Sequence, residues 1–115
     1  MLLKLIIFHY ICTMRKDVGE YILCSAILYN NGKEYVHQPI NVDSGFVICG
    51  QRHHNCYMTA YILNADEKIL GLEHIEGFLT SKNRFVDRIE GLDIAIKANQ
   101  VNNNSLSNLH SEDLW

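Results

Sequence analysis

Residues 21–29 read YILCSAILY, and Asn30-Asn31-Gly32 follows directly. The run is apolar and contains aromatic and β-branched side chains, which favour strands. An Asn-Gly pair tolerates the positive φ angles of a tight hairpin turn. A second short run, Glu34 to Gln38, comes after the turn. The stretch therefore predicts a β-hairpin over residues 21–38.

The next elements are a third strand and a first helix. Residues 46–49 (FVIC) predict the strand, because turn residues precede the run and Gly50 follows it. From His53 onward the apolar spacing becomes helical, which predicts a helix from near Arg52 to Asn64. The apolar positions of that helix are Cys56, Tyr57, Ala60, Tyr61 and Leu63.

The second half of the chain predicts a loop, a hairpin and a second helix. Residues 65–77 are expected to form a loop with a helical turn near Glu73. Residues 77–80 and 84–86 flank Ser81-Lys82-Asn83 and predict a second hairpin. Asp87 and Glu90 have the capping-box spacing, with Asp87 as the N-cap of a helix that ends at Asn99-Gln100. Its predicted apolar stripe is Ile89, Leu92, Ala95 and Ile96.

These elements predict a single domain of the α+β class, with a small antiparallel sheet of about four to five strands and two main helices packed against it. A chain of 115 residues is long enough for one core without staples. The domain is predicted over residues 14–101. Residues 102–115 form a polar linker and a C-terminal tail, LHSEDLW, whose Leu-Trp end is expected to dock on the domain or on a second subunit.

Residues 1–13 form an apolar extension that has three open interpretations. The run is shorter than the roughly 20 apolar residues that span a bilayer, and it lacks the cleavage site of a signal peptide. It is an extra strand, or upstream sequence with Met14 as the true start, or a membrane anchor. Because no secretion signal is apparent, the four cysteines are expected to be reduced, in a cytoplasmic protein.

The composition excludes some partners and metal sites. The net charge of −3 argues against long nucleic acids, whose binding needs a positive surplus, but not against a small nucleotide. No CxxC pair is present, so neither a zinc ribbon nor a thioredoxin-type site is indicated. We predict no cofactor and no metal.

The densest polar cluster lies between the third strand and the first helix. Arg52, His53, His54 and Asn55 follow Gly50 at a helix start, where free N–H groups and the helix dipole favour an anion. The cluster predicts a phosphate pocket. Two alternatives stay open: a structural junction whose histidines cap and pack, and a zinc site that adds Cys49 and Cys56.

The second cluster surrounds the second hairpin and the start of the second helix. Thr80, Arg84 and Arg88 supply donors, and a guanidinium binds phosphate through two hydrogen bonds. Phe85 is a candidate for stacking on a base, with a core role as the alternative. We predict these four residues, with the four of the first cluster, as ligand-binding.

Catalytic motifs are not apparent. The sequence has no G-x-S-x-G element, no Walker loop, no G-x-G-x-x-G and no pair of H-x-T or H-x-S elements. Glu73-His74 with Glu76 is the only carboxylate group that suggests a metal-dependent hydrolase. We therefore predict a binding protein and not an enzyme.

Three strings carry a family resemblance: VDSGFVICGQRHHNCYMTAYIL (42–63), EGFLTSKNRFVDRIEGLDIAIKANQ (76–100) and LHSEDLW (109–115). They resemble small proteins of bacteriophages and prophages, among them the Thoeris anti-defence sponge family. Gln51 stands where that pattern leads us to expect a second basic residue before Arg52. The resemblance implies an α+β fold, a homodimer or higher assembly in the bacterial host cytoplasm, and a cyclic ADP-ribose-type signal that is bound but not cleaved.

The resemblance and the two clusters together favour a phage protein that sequesters a cyclic nucleotide immune signal. Two alternatives stay open. One is a protein-interaction module that acts through the LHSEDLW tail, and the other is a hydrolase or phosphodiesterase that uses His53 or His54.

Overall fold

The structure, a computed structural model, describes residues 19–102 and 106–115, and the side chains of residues 65–67 are not described. The three interpretations of residues 1–13 lie outside the described residues. One four-stranded antiparallel sheet carries two main helices, which confirms the α+β prediction. No helix in the described part of the chain is long and apolar enough to cross a membrane.

The first hairpin has a different second strand from the predicted one. β1, Ile22–Asn30, pairs with β2, Phe46–Gly50, and Ala26 lies opposite Cys49. The prediction of a strand over 34–38 was wrong: these residues belong to the connecting loop, where Val36 is 81% exposed. The Asn-Gly turn does form locally, because the side chain of Asn30 accepts from the backbone of Gly32.

A helical crossover joins the two halves of the sheet. α1, His53–Glu67, follows β2, and a short 3-10 helix, Ile69–Gly71, leads into β3, Glu73–Thr80. The expected loop over 65–77 is thus mostly regular structure, because α1 runs three residues further and β3 begins at residue 73. β3 pairs with β1, which gives the strand order β2-β1-β3-β4.

The turn of the second hairpin and the start of the second helix lie where the sequence predicts, although β3 begins four residues before the predicted strand. β4, Phe85–Asp87, pairs with β3, and α2 spans Arg88–Lys97. The Asp87 carboxylate accepts from the backbone N–H groups of Ile89 and Glu90, as expected of an N-cap. The Glu90 carboxylate does not return to the cap. It binds Arg84 instead, at 3.0 Å.

The apolar stripe of α2 differs by part of a turn from the prediction. Ile89 is 71% exposed, whereas Leu92 and Ala95 are buried as expected. Gly91 and Ile94 complete the buried face. The shift follows from the position of the C-terminal segment, which covers the Gly91 side of the helix: an ideal Cβ on Gly91 would lie 3.5 Å from Leu109.

Both large buried clusters lie on one face of the sheet, beneath the two helices. One buried cluster joins β1 and β2 to α1, and a second joins β3 and β4 to α2 and the C-terminal segment. The first contains Ile27, Tyr29, Ile48, Cys56, Ala60 and Ile69. The second contains Ile22, Phe78, Val86, Leu92, Ile94, Ala95, Val101 and Leu109.

The C-terminal segment, residues 106–115, lies against its own domain. Leu109 is fully buried, and its N–H donates to the Arg88 carbonyl at 2.9 Å. A short helix, α3, spans Ser111–Leu114, and Trp115 is partly buried against the second cluster. The segment therefore contributes a side chain to the centre of the core.

The loop over residues 31–45 reaches both edges of the sheet. The Gln38 side chain accepts from the N–H of Val47 on β2 at 3.0 Å. The Asn41 amide donates to the Phe85 carbonyl at 2.6 Å and accepts from the Phe85 N–H at 2.8 Å, on β4. The loop thereby occupies main-chain hydrogen-bonding groups of both outer strands.

Candidate functional site

At the junction between β2 and α1, the side chain of His53 points into the protein. Arg52 is the N-cap, and its N–H donates to the Asn55 side chain at 3.0 Å. His53 is only 7% exposed, and its Nε2 lies 2.8 Å from the Gly77 carbonyl, so Nε2 carries the proton and donates. Burial lowers the pKa of His53. The ring is therefore neutral near pH 7, and it packs edge-on against Phe78.

The rest of the first cluster divides between solvent and the core. His54 and Asn55 are exposed on the first turn of α1. Cys56 is fully buried, and Cys49 lies on the opposite face of the sheet. Within the described residues no three His, Cys, Asp or Glu side chains come close enough to hold a metal ion.

Arg88 joins the first cluster and not the second. Its Nη2 donates to the Glu76 carboxylate at 2.5 Å, and its Nη1 donates to the Leu109 carbonyl at 2.7 Å. Tyr57 donates its hydroxyl to the other Glu76 oxygen. Burial raises the pKa of Glu76, but the hydrogen bonds from Tyr57 and Arg88 outweigh burial and leave it below the ordinary value.

The arginines of this cluster hold the C-terminal segment. Arg52 donates to the Trp115 carbonyl, as Arg88 does to the Leu109 carbonyl. The predicted phosphate-binding groups of Arg52, His53 and Arg88 are thus engaged with protein oxygens. In this arrangement they orient the tail and the β2–α1 junction.

The second cluster centres on a carboxylate that the sequence analysis missed. Glu20 accepts from Arg84 twice, at 2.8 and 2.9 Å, and from the hydroxyl of Thr80 at 2.5 Å. Arg84 also donates to Glu90. The hydrogen bond from Arg84 is the main reason that the pKa of Glu20 lies below its ordinary value, and the same bond raises the pKa of Arg84.

Phe85 is 8% exposed and lies on the sheet face away from the helices. Its ring covers Gly77, where an ideal Cβ would be 2.7 Å from the ring edge. This placement leaves little of the ring for stacking on a ligand.

A cleft of about 590 Å³ lies between α2 and the chain that enters β1, and we call it the α2 cleft. Its volume falls within the range of small-molecule sites, roughly 300–1,000 Å³. Of the eight predicted ligand-binding residues, only Arg84 lines it. The lining comprises Gly19, Glu20, Tyr21, Arg84, Glu90, Asp93, Ile94, Lys97, Ala98 and Gln100.

No local pattern in the sequence indicates the α2 cleft. Its central ion pair joins Glu20 to Arg84, 64 residues later. Lys97 and Asp93 form an ion pair at 2.9 Å. Their i, i+4 spacing by itself predicts only a solvent-exposed face of a helix. Only the folded chain, which places residues 19–21 beside α2, brings these groups together.

Comparison with known families locates the chain among phage proteins. The family profile described as phage T4 y16D protein matches residues 21–115. The chain belongs to this family. The match covers β1 to α3 and all of the α2 cleft except Gly19 and Glu20. No curated protein and no solved structure matches.

Proposed function

We propose that this phage protein binds a small, phosphate-bearing nucleotide in the α2 cleft and holds it without cleaving it. The observation that carries the proposal is the composition of the cleft. Two cations, three carboxylates, one tyrosine and apolar positions on α2 surround a volume that suits such a ligand. The resemblance to the Thoeris anti-defence sponge family supports a cyclic ADP-ribose isomer as the ligand.

The cations of the cleft suit phosphate groups. Glu20 and Glu90 hold Arg84 through Nε and Nη2, and Nη1 makes no hydrogen bond with the described residues. A guanidinium fixed in this way is preorganised, so less entropy is lost when a phosphate binds. Lys97 is 74% exposed in its side chain, and its ion pair with Asp93 is a surface pair worth under about 1 kcal/mol, so a phosphate can compete for it.

The remaining groups suit the other parts of a nucleotide. Carboxylates accept hydrogen bonds from ribose hydroxyls, as they do in dinucleotide-binding folds. Tyr21 offers an aromatic ring and Ile94 an apolar surface for a base.

The test exposes the protein to a nucleotide pool that contains cyclic ADP-ribose isomers, followed by native mass spectrometry and heat release. Wild type and Lys33→Glu should release an intact nucleotide, and Lys97→Glu should not. Lys33→Glu is the matched control, since Lys33 is an exposed lysine of the 31–45 loop outside the cleft. No binding at micromolar concentrations, a cleaved product, or full binding by Lys97→Glu would each contradict the proposal.

A second candidate function, a protein-interaction module, is favoured by the outer face of α1. Met58, Tyr61 and Ile62 are 60%, 68% and 70% exposed there. Contiguous exposed apolar side chains mark association surfaces in many proteins. We infer that this face pairs with a second copy of the chain, in line with the assembly that the resemblance implies. Sedimentation that shows a monomer at all accessible concentrations would overturn this assignment.

A further inference from the structure

Two cysteines lie side by side on the sheet face that the helices leave uncovered. Cys49 on β2 is opposite Ala26 on β1, and Cys24 precedes Ala26 by two positions. Because side chains alternate along a strand, Cys24, Ala26 and Cys49 all point to the same face. Cys24 and Cys49 are therefore diagonal neighbours across the β1–β2 pair.

The environments of the two thiols differ. Cys49 is exposed and Cys24 is partly buried. The side-chain interaction with Cys24 lowers the pKa of Cys49 to about 7, although burial acts in the opposite direction. The same contact raises the pKa of Cys24. A thiolate at the accessible position and a protonated thiol beside it form an attacking and resolving pair.

Cys56 provides an internal comparison. It is fully buried on the helical face of the sheet, and burial raises its pKa to about 11. Its thiol points toward the carbonyls of Ser25 and Arg52. Such a thiol behaves as a small core side chain.

We propose that Cys49 and Cys24 form a reversible redox site that reacts with low-molecular-weight disulfides. The Cys49 thiolate attacks one sulfur of glutathione disulfide, the S–S bond breaks, and one glutathione leaves as its thiolate. The Cys24 thiol then gives its proton to solvent and attacks the Cys49 sulfur, which expels the second glutathione as a thiolate. The two cysteines lose two electrons in total, and glutathione disulfide gains them.

The cross-strand geometry makes the product easy to reduce. Diagonal strand neighbours have Cα atoms about 7–8 Å apart, whereas unstrained disulfides prefer about 4.4–6.8 Å. The Cys24–Cys49 disulfide therefore requires a local shift of β1 against β2. Strained disulfides have more oxidising potentials, so the bond should reopen in excess reduced glutathione.

The experiment uses the full chain with Cys12→Ser, which leaves only the three described cysteines. The protein is incubated with glutathione disulfide, quenched with acid and mapped by peptide mass spectrometry. The expected product has lost two hydrogen atoms and links the peptides of Cys24 and Cys49. Cys24→Ser should stop at a single glutathione adduct on Cys49, and Cys49→Ser should acquire neither modification.

Alkylation of the unsubstituted protein tests the same assignment without depending on how a variant folds. Limited iodoacetamide should label Cys49 at least about tenfold faster than Cys24 or Cys56, because its thiolate fraction is larger. Cys56→Ala is the matched control and should still form the disulfide. Equal labelling of the three cysteines, or glutathione attached first to Cys24, would overturn the proposal.

Discussion

The replacement of Leu109 by alanine tests whether the C-terminal segment belongs to the core. Leu109 is fully buried among Phe78, Val86 and Leu92. Loss of three carbon atoms removes about 2.4 kcal/mol of transfer free energy at about 0.8 kcal/mol per methylene. The cavity that remains adds to this, so the free energy of unfolding should fall by about 3 kcal/mol or more.

This loss translates into a large thermal shift. An unfolding entropy of about 2.1 cal/mol/K per residue gives about 0.24 kcal/mol/K for this domain, so about 3 kcal/mol lowers Tm by about 12 °C. Urea unfolding gives the free energy, and a thermal scan gives Tm. The matched control is Leu70→Ala, because Leu70 is 43% exposed and should cost about 1 kcal/mol or less.

Two results would refute the reasoning. If Leu109→Ala costs no more than Leu70→Ala, the segment does not contribute to the core. If the Tm of the wild type rises with protein concentration and the effect of Leu109→Ala disappears on dilution, the segment docks on a second copy instead.

Two further predictions concern the centre of the sheet and the polar network beneath the tail. Gly77→Ala should destabilise the fold by about 3 kcal/mol or more, because the new Cβ would clash with a backbone carbonyl of β4. The control is Gly71→Ala, which should be near neutral in urea unfolding because no atom lies within 4 Å of its Cβ position. Equal effects of the two substitutions would contradict the clash. The pKa of Glu76 is lower in the folded chain than its ordinary value of 4.5. Its stabilising contribution is therefore complete above about pH 4.5 and is lost as the pH falls through the folded pKa. Glu76→Gln should lower stability at neutral pH and flatten the acid limb of a stability–pH curve, and an unchanged acid limb would disprove the linkage.

Local signals account for the elements that the sequence predicted. β1, β2, the β3–β4 hairpin and the N-cap Asp87 each depend on residues within a few positions of one another. The predicted strand over 34–38 shows the limit of such local signals. Its local pattern suits a strand, but no strand forms there. The partner that β1 selects is β2, and pairing between distant segments is decided by the packing of the whole sheet.

The candidate site was less predictable than the fold. Arg52, Arg84 and Arg88 were singled out as anion-binding groups, but their first partners are protein oxygens. These three partners, Trp115, Glu20 and Leu109, each lie more than ten residues from the arginine that binds them, so no local spacing indicates the pairs. Glu20 lies two residues before β1, and only the folded chain shows that it organises Arg84 and the α2 cleft.

The reach of the 31–45 loop to both outer strands limits how the protein can associate. An unpaired strand edge invites another chain to add a strand, which leads to aggregation or to recognition of an extended peptide. Here Asn41 occupies both outward main-chain groups of Phe85, and Gln38 occupies one on β2. Strand addition at Val47 or Phe85 would first have to displace the loop, so we expect a partner or a second copy to approach a face of the molecule instead.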